Sequence, residues 1–280
     1  MRTKLGQNFL INKKALETIA RELEIKDDET IIEIGPGHGE LTEEILARNK
    51  KITKQIQRKD GRVNLIAIEK DATLAQELRN KIYDLGIKNV EIVEGDALKV
   101  LPSLIRNPQS AISNFNYKIA GNIPYYITGY LLRILGELET KPSLAILTIQ
   151  KEVAERLAAK PPKMNLLAAA TQFWSKPEII SYLPKEYFKP EPEVDSAVVK
   201  FLIRNPQPAI NPEDYYRFIK IIFKQPRKTI LNNLSAGLNL PKEEISKIIT
   251  GEKIPPADRP QNLNVEQILK LSEKLESIII

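Results

Sequence analysis

The sequence predicts an α/β fold with a mostly parallel sheet, followed by a small all-helical C-terminal domain. Three observations predict it. Strand-like and helix-like segments alternate to about residue 150, the pattern of strand-helix-strand units. A Gly-rich turn, Gly35-Pro36-Gly37-His38-Gly39, joins the apolar run Ile31-Ile32-Glu33-Ile34 to a helical opening, Glu40 to Leu46. Asn205-Pro206-Gln207-Pro208 forms a proline-rich break, and the pattern beyond it is helical. The chain is therefore expected to divide into domains 1–204 and 205–280.

The elements can be justified in order. The arm at residues 1–14 holds Arg2, Lys4, Lys13 and Lys14 and no acid. Strand, Gly-rich turn and helix then make the first unit of a nucleotide-binding sheet, in which glycines let backbone approach the ligand. The glycines lie at 35, 37 and 39, with Glu at 40, so the dinucleotide fingerprint is not met. Glu33, Glu40, Glu43 and Glu44 crowd the place of a pyrophosphate. They suit a cationic ligand better, and S-adenosylmethionine carries a sulfonium. Two further strand-like runs end in acids. Asn64 to Ile68 leads into Glu69, where a carboxylate can take both ribose hydroxyls; Val90 to Gly95 leads into Asp96, which can accept from an adenine amino group. Either alone is more often a plain turn residue; in order after the glycine turn they form a pattern. Ala145 to Ile149 reads as a buried strand, and Ile179–Leu183 with Ala197–Ile203 as a late strand pair. Phe218, Ile219, Ile222 and Phe223 recur at helix spacing and read as core. Arg217, Lys220, Lys224, Arg227 and Lys228 lie nearby and face RNA or solvent.

The stretch Gly121-Asn122-Ile123-Pro124-Tyr125-Tyr126-Ile127-Thr128 follows the apolar run Tyr117 to Ala120. It suits the capture of an adenine by its amino group. The N6 lone pair is delocalised into the ring, so that nitrogen is a poor nucleophile. Two acceptors aimed at its hydrogens draw it toward tetrahedral geometry. The Asn122 side-chain oxygen can be one and the Ile123 carbonyl the other. Pro124 fixes its own φ and biases Ile123 toward an extended conformation. Tyr125 offers a face for stacking, typically worth ~1–3 kcal/mol. The plainer reading is a strand followed by an Asn-x-Pro turn.

The bulk numbers agree. The 280 residues can hold one large domain and one small one. A net charge of +6 favours a polyanionic partner. The chain has no Cys, which excludes disulfides, a Cys-based zinc site and a Cys nucleophile. Methylation at carbon 5 of pyrimidines, which ordinarily needs a covalent Cys adduct, is thereby excluded. His38 is the single histidine, so it cannot build a metal cluster of its own kind, and it reads as a bystander in the glycine turn. No apolar run reaches the ~20 residues of a membrane span, and no signal-peptide pattern precedes the first motif. A cytoplasmic protein is expected.

Taken together, the motifs resemble those of the rRNA adenine N6,N6-dimethyltransferases, the family of the bacterial small-subunit methyltransferases. Leu5-Gly6-Gln7-Asn8-Phe9-Leu10 matches the family's opening and Glu33-Ile34-Gly35-Pro36-Gly37 its glycine turn. Gln150 to Arg156, Phe188 to Ser196 and Phe223 to Lys228 resemble later family segments, in family order. The resemblance implies a Rossmann-like S-adenosylmethionine-dependent methyltransferase sheet. It places Asn8 and Leu10 along the cofactor, Gly35 in the cofactor turn, Glu69 on the ribose and Asp96 near the adenine ring. It places Asn122 between cofactor and target base, and Phe188 across the base from Tyr125. It further implies that the substrate is a pair of adjacent adenosines in the 3′-terminal hairpin of small-subunit rRNA, within a pre-30S particle. No metal is expected, and a monomer is. Two places depart from the pattern. Asn49 to Arg62 is a basic insertion, read as a solvated loop or an RNA contact, and residues 161–167 lack the Tyr-Gly often found there. Two rival readings remain: a large-subunit rRNA adenine methyltransferase, and an assembly factor that binds RNA with secondary catalysis.

Overall fold

The structure is a computed structural model of the chain and describes residues 7–26, 29–53, 65–106, 116–204 and 209–279, with side chains left out at 49–53 and 279. Arg2 and Lys4 of the arm, Leu5 and Gly6 of the opening motif, residues 54–62 of the basic insertion and the break at 205–208 lie outside the described residues. By its contacts the chain forms two compact units, Met1–Ala154 with Glu178–Ile203, and Glu155–Pro177 with Arg204–Ile280. The sequence reading placed 155–177 with the first domain; contacts group it with the second.

The first unit opens with β1 (Phe9–Leu10) and α1 (Lys13–Glu22), followed by β2 (Thr30–Ile34), α2 (Glu40–Thr53), β3 (Leu65–Glu69), α3 (Ala72–Asp84), β4 (Val90–Glu94), α4 (Ala97–Arg106), β5 (Tyr117–Asn122), α5 (Thr128–Glu137) and β6 (Leu144–Gln150). Next come α6 (Lys151–Leu157), α7 (Leu166–Gln172), β7 (Ser175–Leu183), β8 (Phe188–Lys189) and β9 (Ser196–Ile203). Seven strands form one sheet in the order β4-β3-β2-β5-β6-β9-β7. The pairs from β4 to β6 are parallel, and β9 runs antiparallel to β6. Every residue of β2 and β3 is buried, as expected of parallel strands covered on both faces. Side chains start the helices. Asn12 accepts from the Ala15 amide at 3.0 Å, and Asp71 from the Thr73 amide at 2.9 Å, satisfying N–H groups that a helix start leaves unpaired.

Strand order reverses at β2. The chain runs outward from β2 through β3 to β4, then returns to β5 on the other side. Such a switch point opens a crevice at the carboxyl ends of the central strands. β5 carries a buried lysine that secures this centre. The Lys118 ammonium donates to the carbonyls of Leu23 and Glu24, both at 2.8 Å, and pairs with Glu29 at 2.7 Å. It closes off the C-terminal end of α1, where a helix leaves carbonyls unsatisfied.

The second unit is helical apart from the first residues of β7. It adds α8 (Pro212–Ile222), α9 (Ile230–Leu238), α10 (Lys242–Gly251) and α11 (Val265–Ile279). Phe173 stacks on Tyr215 with ring centroids 4.3 Å apart, and the buried Tyr215 hydroxyl donates to the Ala169 carbonyl at 3.0 Å. Phe218, Ile219, Ile222 and Phe223 are core, as their spacing predicts, while Lys224, Arg227 and Lys228 are exposed. The segment between α8 and α9 is tied from within. The buried Asn233 side chain donates to the carbonyls of Gln225, Lys228 and Thr229 and accepts from the Gln225 amide. The basic residues thus project from a fixed turn.

Candidate active site

The carboxyl ends of β2, β3, β4 and β5 bring together the segments singled out in the sequence. Gly35 follows β2, Glu69 ends β3, Asp96 lies just past β4 and Asn122 ends β5. Across the switch point Ile34 is in register with Gly121. A Cβ on Gly121 would come within 2.6 Å of the Ile34 carbonyl oxygen, so only glycine lets these strand ends approach. The turn after β2 has φ of +66° at Gly35, +60° at Gly37 and +92° at Gly39, a region costly for any residue with a Cβ. A Cβ on Gly37 would also strike the Phe9 ring.

Beside this turn lies a shallow cleft lined by Gln7, Asn8, Phe9, Gly35, Asn122, Ile123, Pro124 and Tyr125. Its roof comes from the N-terminal strand. β1 pairs antiparallel with β8, Phe9 against Lys189 and Leu10 against Phe188, and the Ile11 amide donates to the Tyr187 carbonyl at 2.8 Å. The Asn122 amide nitrogen donates to the Asn8 carbonyl at 2.7 Å. A carbonyl can only accept, so the group facing it must be the NH₂. That fixes the Asn122 rotamer and leaves its side-chain oxygen as the acceptor.

The other residues are held as follows. Tyr125 and Ser196 share a hydrogen bond of 2.8 Å between their hydroxyls. Burial pushes the Tyr125 hydroxyl above its usual pKa, with Ser196 opposing in part. Pro124 has φ −54° and ψ 129°, and the Ile123 amide donates to Thr148 on β6 at 3.0 Å. Glu69 is buried. One of its oxygens accepts from the Gly37 amide at 3.1 Å and the other from the Asp71 amide at 2.9 Å. It therefore latches the glycine turn to the start of α3, a job not foreseen from its place at a strand end. One oxygen of Asp96 accepts from the Leu98 amide at 3.0 Å, and Lys70 pairs with the other at 2.9 Å. The Lys70 ammonium holds the Asp96 carboxyl below the usual range. Leu10 and Phe188 are buried in the hydrophobic core rather than in the lining of the cleft.

The expected crowd of negative charge is smaller than the residue types suggest. Glu33 is fully buried; one oxygen accepts from the Thr42 hydroxyl at 2.7 Å and the other has no hydrogen-bond partner. Burial pushes its pKa up to about 8, against the Thr42 hydrogen bond and with the help of Glu40 and Glu69. At neutral pH it carries a proton. Glu43 is paired with Lys81 at 2.6 Å. His38 packs against Phe9 with ring centroids 4.6 Å apart.

Sequence reasoning gave no role to Ser196, Lys70 or Thr42. Ser196 stood in a recognised segment, but nothing local ties it to Tyr125, 71 residues away. Among the described residues no group of three or more His, Asp and Glu is placed to hold a metal ion, and no helix is long and apolar enough to cross a membrane.

Fold and switch-point chemistry place the chain among the Rossmann-like methyltransferases that use S-adenosylmethionine. The glycine turn, with Gly35 in the cleft lining, fits that cofactor. Comparison with known proteins narrows the class. The chain belongs to the ribosomal RNA adenine dimethylase family, whose model matches residues 1–277. It is similar to "Ribosomal RNA small subunit methyltransferase A" of Dehalococcoides mccartyi strain BAV1, 36% identical over 271 residues that cover 95% of this chain and 86% of the relative. A solved dimethyladenosine transferase from Plasmodium falciparum shares the fold, with TM-score 0.79 and 24% identity over 96% of this chain and 98% of that one. The structure of the 23S rRNA methyltransferase ErmE aligns with TM-score 0.72 and 25% identity over 96% of this chain and all of that one. The greater identity to the small-subunit relative weighs against the large-subunit reading.

Proposed function

We propose that this enzyme, an S-adenosylmethionine-dependent rRNA adenine N6,N6-dimethyltransferase, acts on two adjacent adenosines in the 3′-terminal hairpin loop of small-subunit rRNA. The observation that carries the chemistry is the Asn122 rotamer, locked by the Asn8 carbonyl at 2.7 Å. It leaves the side-chain oxygen of this cleft-lining residue as an acceptor.

When bound, S-adenosylmethionine supplies a methyl group made electrophilic by the sulfonium. Gly35 and its turn, Asn8, Glu69 and Asp96 would hold the cofactor, Glu69 by the ribose and Asp96 by the adenine amino group, with Leu10 supporting Asn8 from the core. Asn122 would also border the cofactor. Its side-chain oxygen and the Ile123 carbonyl accept from the N6 hydrogens of the target. The lone pair is thereby freed from the ring, and the charge developing on N6 is stabilised. Tyr125, its ring tethered through Ser196, offers one face to the base; Phe188, paired with Leu10 across β8 and β1, backs the cleft from the core. Most of the acceleration comes from positioning. The proton leaves to water once N6 is cationic. A base reaches this cleft only when unstacked, which suits an adenosine in a loop.

The second unit is the RNA-binding domain, with Lys224, Arg227 and Lys228 on phosphates. The partner is rRNA in a pre-30S particle, met in the cytoplasm by a monomer. The deciding experiment is mass spectrometry of rRNA fragments from cells with and without the gene. Loss of dimethylation from the small-subunit terminal hairpin is expected. Loss confined to large-subunit rRNA, or no loss, overturns the assignment.

A further inference from the structure

Just past the cleft, the start of α5 presents an exposed face that packing does not explain. Tyr126 is 55% exposed and Tyr130 69%. Tyr126 sits in the single 3-10 turn, Tyr125–Ile127, that leads into α5, and Gly129 and Tyr130 follow in the first turn of α5. Gly129 is exposed and helical, with no positive φ, and a Cβ there would meet nothing within 4 Å. Glycine costs a helix stability relative to alanine. Gly237 in α9 has a reason, since its Cβ would run into Ile221; Gly129 has none in the folded chain. Arg133, one turn further along the same face, is exposed and paired with Glu137 at the surface. Lys70, exposed and paired with Asp96 at 2.9 Å, adds a cation beside the switch point. Tyr126 follows Tyr125 of the cleft lining in the same 3-10 turn.

We propose that this face is a stacking platform for the unpaired nucleotide next to the target adenosine. The inference rests on the proposed function, which brings a single-stranded RNA loop to the cleft. A planar base fills the gap over Gly129, flanked by the rings of Tyr126 and Tyr130. Lys70 and Arg133 meet the phosphates on either side; the Arg133–Glu137 pair is exposed and readily exchanged. Every base has a π-face, so the platform tolerates sequence. It selects instead for a neighbour that is unpaired, and so for a loop over a duplex.

The test uses the full chain and a tandem-adenosine hairpin RNA with 2-aminopurine beside the target. Binding to the wild type should quench the fluorophore. The Tyr126→Ala/Tyr130→Ala double variant should lose that quenching and raise KM by about ten-fold or more, with kcat at saturating RNA changed far less. Gly129→Leu fills the gap with a better helix former. It should raise KM in the same direction without lowering the melting temperature. Quenching and KM that stay at wild-type values in both variants overturn the platform, as does a protein partner, and not RNA, crosslinking to this face. The wild type on the unlabelled hairpin is the control. Failure of the wild type to methylate both this hairpin and small-subunit particles from cells lacking the gene overturns the proposed function itself, whereas normal methylation with unchanged KM in the variants overturns the platform alone.

Discussion

Asn122 and Glu33 show how one side chain's setting decides its chemistry. Asn122→Ala removes an acceptor needed chiefly as charge develops on N6. Single-turnover methylation should slow by about 10²–10³, as on loss of one oriented polar group elsewhere. RNA affinity should barely move, because phosphate contacts dominate it. Near-normal rates for both methyl transfers would reduce the Asn122–Tyr125 stretch to a structural turn. Glu33 affects stability instead. Its carboxyl stays protonated in the fold to about pH 8, against 4.5 when unfolded. Between those values only the unfolded chain gives up the proton, so Glu33 erodes stability as pH rises through this window. Glu33→Gln should give a flatter profile of denaturant midpoint against pH from 5 to 8, and a matching slope in both proteins would refute the assignment.

At the scale of elements, the central strands and the glycine turn are legible because their signals are local. An apolar run, a turn residue and a helix start lie within about 15 residues of one another. The two-residue β1 and β8 strands give no periodicity to read, and their pairing joins Phe9 to Lys189. The Tyr125–Ser196 and Lys70–Asp96 contacts are hidden for the same reason. The proton on Glu33 depends on burial, which residue type does not reveal. Lys118 reads from sequence as an ordinary charged residue within an apolar strand, yet it is 5% exposed and its partner Glu29 4%. Lys118→Ala should cost about 3–5 kcal/mol by leaving a carboxylate buried without its partner. Urea unfolding measures this; a loss under 1 kcal/mol would mean that water reaches Glu29.

For the whole molecule, the sequence reading located a helical end but missed that 155–177 packs with it, because that grouping depends on contacts distant in sequence. The net charge of +6 gives a general pull toward polyanions. The turn stapled by Asn233 concentrates part of it on Arg227 and Lys228. Reversing both to Glu should weaken RNA binding alike across sequences. It should also flatten the dependence of log affinity on log salt by about 0.7 for each phosphate that is no longer neutralised. Cofactor affinity should not change. Filter binding over a salt series checks this, and an unaltered slope would place the RNA-binding surface elsewhere.

The hydrogen bond that aims Asn122 spans 114 residues. Closing so long a loop is entropically costly, and on one side it is held by a strand only two residues long. Such a segment belongs among the least stable parts of a fold, able to open while the core stays intact. Catalytic competence should therefore be lost at a lower temperature than the fold. On warming, the Ile11 amide should exchange with solvent before those of the buried β2 strand, and methyl transfer should fade while the circular dichroism spectrum is still native.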